Sequence, residues 1–157
     1  GVYKLAAVED EQGNIIPKIK ISENTAKITN PHYKKLYRFY DNESGKALAD
    51  ELCVYDETID STKPHTIFDP DAIWKTKTLT DYTARELHVT VFKNGELVYK
   101  QPSLYEIRIY CAEQLETLWD EVKRFENPHT YYVDLSKKLW DIKNALLEKS
   151  KDGKGLK

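Results

Sequence analysis

The pattern of apolar and polar positions changes character once along the chain, near Pro102, with short β-branched and aromatic runs before it and long helical stripes after it. Val2 to Val8 and Ile15 to Ile21 lie on either side of a turn-rich stretch, Asp10 to Asn14, and predict a hairpin or two neighbouring strands. Tyr33 to Tyr40 and Lys46 to Tyr55 flank Asp41-Asn42-Glu43-Ser44-Gly45, whose Asx, Ser and Gly residues suit a hairpin connection. Alternation of Leu48, Asp50, Leu52 and Val54 is imperfect, so this second run also admits a helix. Ile59 to Lys77 carries Pro64 and Pro70 with Asp69 and Asp71, and no period there defines an element. The clearest strand signal is Leu87 to Lys100, where Asn94-Gly95 supplies the two positive-φ residues of a type I′ turn. Counting outward from that turn sets Lys93 opposite Glu96, Phe92 opposite Leu97 and Val91 opposite Val98.

After Pro102, Ser103-Leu104-Tyr105-Glu106 matches a capping box, in which the Ser hydroxyl and Glu carboxylate satisfy each other's orphan amides. Leu104, Ile107, Cys111, Leu115, Leu118, Val122 and Phe125 recur at steps of three or four, predicting one helix as far as Phe125, stopped by Asn127-Pro128. A second stripe, Leu135, Leu139, Ile142 and Leu146, starts behind Asp134 or Ser136 as N-cap and should pack on the first helix as an antiparallel pair. The fold class expected is therefore α+β: a β-rich segment over 1–101, a helical hairpin over 102–150 and a frayed tail over 151–157.

Composition narrows the function classes. The chain has 157 residues, enough for one domain or a large piece of one, with 40% hydrophobic and 32% charged residues, values typical of soluble globular proteins. A net charge of −2 gives no basic excess for nucleic acid or an anionic membrane surface. No apolar run reaches the roughly 20 residues of a membrane span and nothing resembles a signal peptide, so the expected location is cytoplasmic. Cys53 and Cys111 stand in unrelated contexts and are expected as buried free thiols. The chain has no methionine and begins at Gly1, which suggests a processed start or the tail of something longer.

Self-contained chemistry is hard to assemble from these residues. The glycines at 1, 13, 45, 95, 153 and 155 fall at the start, in apparent turns and in the tail, so none builds a phosphate-cradling loop. His32, His65, His88 and His129 are far apart, with no metal-ligand spacing, and no GxSxG marks a nucleophile. Lys18, Lys20, Lys27, Lys34, Lys35 and Arg38 interleave with Tyr33, Tyr37 and Tyr40 in the one stretch with a nucleic-acid look. Glu9, Asp10, Glu11 and Asp41 dilute its charge, and the aromatic residues read better as packing on a sheet face. The carboxylate pairs Asp69/Asp71 and Asp120/Glu121 read as solvated faces, and Trp119 and Trp140 as packing residues.

A set of segments in order along nearly the whole chain carries a resemblance. They are Gly1-Val-Tyr-Lys-Leu5; Pro17-Lys-Ile-Lys-Ile-Ser-Glu-Asn24 with Lys27, Thr29 and Pro31; Tyr37-Arg38; and Gly45-Lys-Ala-Leu-Ala-Asp50. They continue as Leu79-Thr80, Thr83-Ala-Arg-Glu-Leu87, Pro102-Ser-Leu104, Glu113 to His129, Tyr131-Tyr-Val-Asp-Leu-Ser136 and Leu139-Trp140. In these the chain resembles the C-terminal part of the nicotinate phosphoribosyltransferases. The resemblance implies a parent enzyme with a barrel-like domain that joins nicotinate to phosphoribosyl pyrophosphate for NAD biosynthesis, with Mg²⁺ and ATP, driven through a phosphorylated histidine. It places the phosphate loop and that histidine upstream of Gly1, makes this chain inactive alone with no cofactor bound, and makes the upstream barrel and a second copy its partners. Lys20, Ser22 and Lys27 match the family's Lys-x-hydroxyl…Lys pattern near the barrel edge, and Tyr3 and Lys4 follow the phosphate loop, so these five are the candidate binding residues; no residue is assigned to catalysis or metal. The chain departs from the family at Thr25, where proline is common, and at His32, where glycine is common after Pro31. A reading of a different class, a stand-alone interaction module without catalysis, stays open beside this one.

Overall fold

The computed structural model describes residues 3–152, so Gly1 and Val2 of the first run and residues 153–157 of the expected tail lie outside the described residues. The chain opens with an antiparallel pair, β1 (Ala7–Glu9) and β2 (Ile15–Pro17). Asp10 builds the turn between them: its carboxylate accepts the Gln12 and Asn14 amides at 2.9 and 2.8 Å, an Asx turn. The pairing is shorter than the sequence runs, and residues 18–24 continue without strand partners into a single 3-10 turn, Thr25–Lys27, capped by Asn24.

The main sheet has four strands. β3 (Lys34–Asp41) and β4 (Ala47–Val54) form the expected hairpin, β7 (Tyr82–Glu86) pairs antiparallel with β3, and β10 (Val133–Leu135) pairs parallel with β4, in the order β10-β4-β3-β7. Six of the eight β4 residues are buried, on both faces, which explains the weak alternation that left a helix open for this run. The stretch in which no element was expected forms β5 (His65–Asp69) and β6 (Ala72–Leu79), an antiparallel pair. Its prolines sit outside the strands: Pro64 precedes β5, and Pro70 is in the turn, where the Asp71 amide donates to Asp69 Oδ1 at 2.9 Å.

The larger core cluster gathers Tyr37, Phe39, Ala49, Cys53, Ile67, Leu79 and Tyr82, so β5 and β6 cover one face of the main sheet. Phe39 is fully buried with its ring edge-on to Tyr82 at 5.5 Å, a burial of about 1.5–3 kcal/mol. A second cluster, Val54, Leu135 and Leu139, joins β4 and β10 to the C-terminal helix. Of the two cysteines only Cys53 is buried; Cys111 is exposed, because the helix face that carries it is uncovered.

The type I′ turn forms with φ 51° at Asn94 and 82° at Gly95, and β8 (Phe92–Lys93) and β9 (Glu96–Leu97) take the register read from the sequence. The capping box also forms, starting α1 (Leu104–Glu116) with the Ser103 amide on Glu106 Oε2 at 2.7 Å and the Glu106 amide on Ser103 Oγ at 3.3 Å. α1 stops well before Phe125. The Thr117 hydroxyl donates to the Gln114 carbonyl at 2.7 Å, and residues from the β3–β4 hairpin take the next free carbonyls: Ala47 N–H on Thr117 at 2.8 Å and the Lys46 ammonium on Glu116 at 2.7 Å. This tertiary cap ends the helix where the apolar period alone continues; a short α2 (Asp120–Lys123) follows, and Phe125 is fully exposed.

Ser136, not Asp134, caps α3 (Lys137–Asp152), accepting the Leu139 amide at 3.2 Å. The expected helical hairpin does not form. β10 intervenes between the helices, α3 packs on β4, and no residue of α1 is buried. Among the described residues no helix is long and apolar enough to cross a membrane.

Across β3 and β4, Arg38 faces Asp50 in a bidentate pair, Nε to Oδ1 at 2.8 Å and a terminal nitrogen to Oδ2 at 2.9 Å, with the Tyr131 hydroxyl donating to the same carboxylate at 2.8 Å. Hydrogen bonding to Asp50 holds the guanidinium charged well above its usual range, and burial pushes the Tyr131 phenol up. Replacing Arg38 with Met strands Asp50, whose side chain is 7% exposed, and is expected to cost about 3–5 kcal/mol in urea unfolding. The double change Arg38→Met with Asp50→Leu should recover most of that loss.

Candidate functional site

The five residues singled out in the sequence all stand on the segment before β3. Tyr3, Lys4, Lys20 and Lys27 are exposed and Ser22 is half-buried. Lys20 and Ser22 lie beyond the end of β2, in chain held by local bonds: the Lys20 amide donates to Thr29 Oγ1 at 3.0 Å, and Ser22 Oγ accepts the Asn24 amide at 3.3 Å. Lys27 ends the 3-10 turn, its amide on the Asn24 carbonyl at 2.9 Å. Among the described residues no hydrogen bond or ion pair joins any two of the five, so the structure presents them along a surface strap without closing them into a pocket.

That strap is fastened at one corner. The Ala6 carbonyl accepts both the Lys18 and His32 amides, at 2.8 and 2.7 Å. The half-buried Lys34 ammonium donates to the Asn30 and His32 carbonyls at 3.0 and 2.6 Å, and Lys143 from α3 donates to Asn30 Oδ1 at 2.9 Å. Burial lowers the Lys34 pKa, and the two carbonyl acceptors are its compensation. His32 holds φ at 79°, the left-handed region that favours glycine, which gives a physical reason for glycine being common at this position in the family the chain resembles.

A second group of functional type was not singled out in the sequence: a layer of buried acids under β5. Glu51 is 2% exposed, lies 2.8 Å from His65 Nε2, and stands 3.6 Å from the Cys53 thiol. Burial, then the Glu51 charge, pushes that thiol far up, so Cys53 is an inert, protonated side chain. Asp134 pairs with Glu51 across the parallel β10–β4 ladder and is 4% exposed. Burial first, then the negative charges of Asp69 and Glu51, push its carboxyl up to about 6. Its sequence signal was an acid between two apolar residues, Val133 and Leu135, a pattern shared with a helix cap. Among the described residues no group of three or more His, Cys, Asp or Glu side chains could hold a metal ion, so the Mg²⁺ implied by the resemblance has no fitting ligand set here.

Fold and surface together define an α+β sheet domain whose buried charged groups, Arg38 with Asp50 and Glu51 with His65, meet one another, preceded by an exposed strap that carries lysines and acids in equal number. The family model for the nicotinate phosphoribosyltransferase C-terminal domain matches residues 33–143, and the chain belongs to that family. A nicotinate phosphoribosyltransferase of Bacillus subtilis is 37% identical over 142 residues, covering 90% of this chain and 29% of the relative. One of Dictyostelium discoideum is 33% identical over 153 residues, covering 92% and 25%. The crystal structure of human nicotinic acid phosphoribosyltransferase superposes with a TM-score of 0.68 at 26% identity, over 76% of this chain and 24% of that one. The chain therefore spans 24–29% of the length of these proteins. The five strap residues all precede the matched domain, which begins at Tyr33.

Asp134 gives a pH prediction with a definite sign. Its folded pKa of about 6 lies above its ordinary 3.8, so its contribution to stability is fully present below pH 3.8 and is lost as pH rises through 6. Asp134→Asn is expected to be near neutral at pH 4 and stabilising at pH 8, read from the difference in urea midpoints against the unsubstituted chain.

Proposed function

We propose that this chain is the C-terminal portion of a nicotinate phosphoribosyltransferase and serves NAD biosynthesis. In the proposed reaction the pyridine nitrogen of nicotinate forms a bond to C1 of the ribose of phosphoribosyl pyrophosphate as the bond to pyrophosphate breaks. The products are nicotinate mononucleotide and pyrophosphate, and ATP hydrolysis drives the exchange forward. The phosphates, Mg²⁺ and ATP belong on the upstream barrel-like part, and this chain alone is inactive. The β-rich segment 1–101 borders the barrel with its first strand, the helical segment 102–150 packs onward from it, and the enzyme is a cytoplasmic homodimer.

The observation that carries this reading, beside the family match, is the amount of apolar surface left open on two ordered elements. On α1, Leu104 is 74% and Leu115 51% exposed; on the β8–β9 hairpin, Phe92 and Leu97 are each 64% exposed. Large apolar side chains left open together on ordered elements suit surfaces that pack on something larger. Lys20, Ser22 and Lys27, with Tyr3 and Lys4, are the residues of this chain proposed to approach the phosphoribosyl substrate. Their charge and hydroxyl chemistry suits phosphate oxygens.

Nicotinate mononucleotide formation, assayed with nicotinate, phosphoribosyl pyrophosphate, Mg²⁺ and ATP, tests both levels. The full-length enzyme should turn over and the 157-residue chain should not; turnover by the chain alone would place the chemistry here. In the full-length enzyme, Lys20→Ala is expected to lower kcat/KM for phosphoribosyl pyrophosphate by about tenfold, the loss of one charge-assisted phosphate contact. An unchanged value would remove Lys20 from the site while leaving the domain's assignment standing.

A further inference from the structure

An asparagine side chain is open to attack by the backbone nitrogen of the residue that follows it. That nitrogen must carry a hydrogen, the side-chain amide must be able to turn, and a Cβ on the attacking residue crowds the approach. The chain has seven asparagines, and the structure separates them. Asn30 and Asn127 precede prolines, whose nitrogen has no hydrogen to give up. Four others are tied. The Asn14 amide donates to Asp10 Oδ2 at 2.9 Å, and Asn24 Oδ1 accepts the Ala26 amide at 3.0 Å. The Asn42 amide donates to Asp81 Oδ1 at 2.9 Å, and the Asn144 amide donates to the Trp140 carbonyl at 2.9 Å. Asn94 stands exposed at the tip of the β8–β9 hairpin and is followed by Gly95.

The hairpin leaves the Gly95 nitrogen available. Its ladder closes on Lys93 and Glu96, with the Val98 amide on the Val91 carbonyl at 2.9 Å further out, and the amides of the two central residues of a type I′ turn stand outside that ladder. Nothing lies within 4 Å of the place a Gly95 Cβ would take. β8 and β9 have two residues each and every residue from Val91 to Lys100 is exposed, so the turn opens at the cost of a few solvated bonds.

We infer that Asn94-Gly95 is a site of spontaneous deamidation and isoaspartate formation. The Gly95 nitrogen forms a bond to Asn94 Cγ as the Cγ–Nδ2 bond breaks, and ammonia leaves with the Gly95 proton. Water then opens the five-membered imide. Attack at Cγ gives aspartate, and attack at the main-chain carbonyl carbon gives isoaspartate, with the chain now running through Cβ and Cγ. One water is consumed and one ammonia released, with nothing oxidised or reduced. The two products differ in consequence. Aspartate keeps the turn, since Asp-Gly also suits type I′. Isoaspartate lengthens the main chain by one carbon inside a two-residue loop, so the pairing of Lys93 with Glu96 and of Phe92 with Leu97 is lost. The modification is a property of this chain's own residues and does not rest on the enzyme reading.

The 157-residue chain and the full-length protein, both native, are aged at pH 8 and digested with trypsin. The peptide from Asn94 to Lys100 is followed by the mass change of an amide turned into an acid. Isoaspartate is counted by the methyl groups that an isoaspartyl carboxyl methyltransferase transfers to it from labelled S-adenosylmethionine. Asn94 is expected to convert in both proteins before Asn14, Asn24, Asn42 or Asn144, and the methylation should appear with it. Asn94→Gly leaves a Gly-Gly pair that the same turn accepts, and should lose the methylation. Gly95→Ala meets no neighbouring atom but places a Cβ beside the attacking nitrogen, and should slow the conversion. In the separated isoaspartyl form the amides from Phe92 to Leu97 should lose hydrogen-exchange protection while those of β3 and β4 keep theirs. Asn94 left intact in either native protein, conversion confined to chain unfolded in urea, or methylation that Asn94→Gly leaves unchanged overturns the inference.

Discussion

Two adjacent carboxylates, Asp50 and Glu51, lie in the middle of a strand covered on both faces, and each requires its own partner from a different element. Asp50 is met from β3 by the guanidinium of Arg38 and from the approach to β10 by the Tyr131 hydroxyl. Glu51 is met from β5 by His65. A one-residue slip of β3 on β4 would turn Arg38 to the wrong face and leave the buried Asp50 charge without its guanidinium, so the charge pair specifies the register alongside the apolar pattern. The same requirement fixes where β5 crosses the sheet and where the chain returns after α2. The order β10-β4-β3-β7 is thus tied together by polar bonds around one strand, with Phe39, Tyr82 and Ile67 filling the space they define.

The elements readable from the sequence are those specified by local chemistry. Asn94-Gly95 sets its own turn and register, and Ser103 with Glu106 sets the start of α1, because each needs only residues within reach along the chain. What escaped was decided at a distance. The end of α1 depends on Ala47 and Lys46, some 70 residues earlier, which take its terminal carbonyls. β6 carries six exposed residues in succession and so lacks an apolar period, yet Ala72 and Leu79 at its ends bury enough to seat it. α3 was read correctly as a helix but with the wrong neighbour, since the sequence could not show that Val133 to Leu135 would enter the sheet beside β4 and receive it.

The site shows the same division. The strap residues were found through an extended resemblance, and the structure locates them without joining them. His32 marks where the strap turns into the domain, in a left-handed conformation held by Lys34 and the Ala6 carbonyl. Asp134 was hidden because an acid flanked by Val133 and Leu135 resembles a helix cap until the ladder with β4 is known. Buried acids with partners give this sheet its register, and Asp134 lines a cavity beside Asp69, Phe68 and Tyr132.

The open apolar side chains of α1 and the β8–β9 hairpin are, in the function proposed, covered by the rest of a longer enzyme. Hydrogen–deuterium exchange tests this most directly, comparing the 157-residue chain with the same residues in the full-length protein. Amides of Leu104 to Glu116 and Phe92 to Leu97 should exchange much more slowly in the full-length enzyme, while those of β3 and β4 are protected alike in both. Equal exchange of α1 and the hairpin in the two proteins would contradict the account, since those apolar faces would then be uncovered in the enzyme as well.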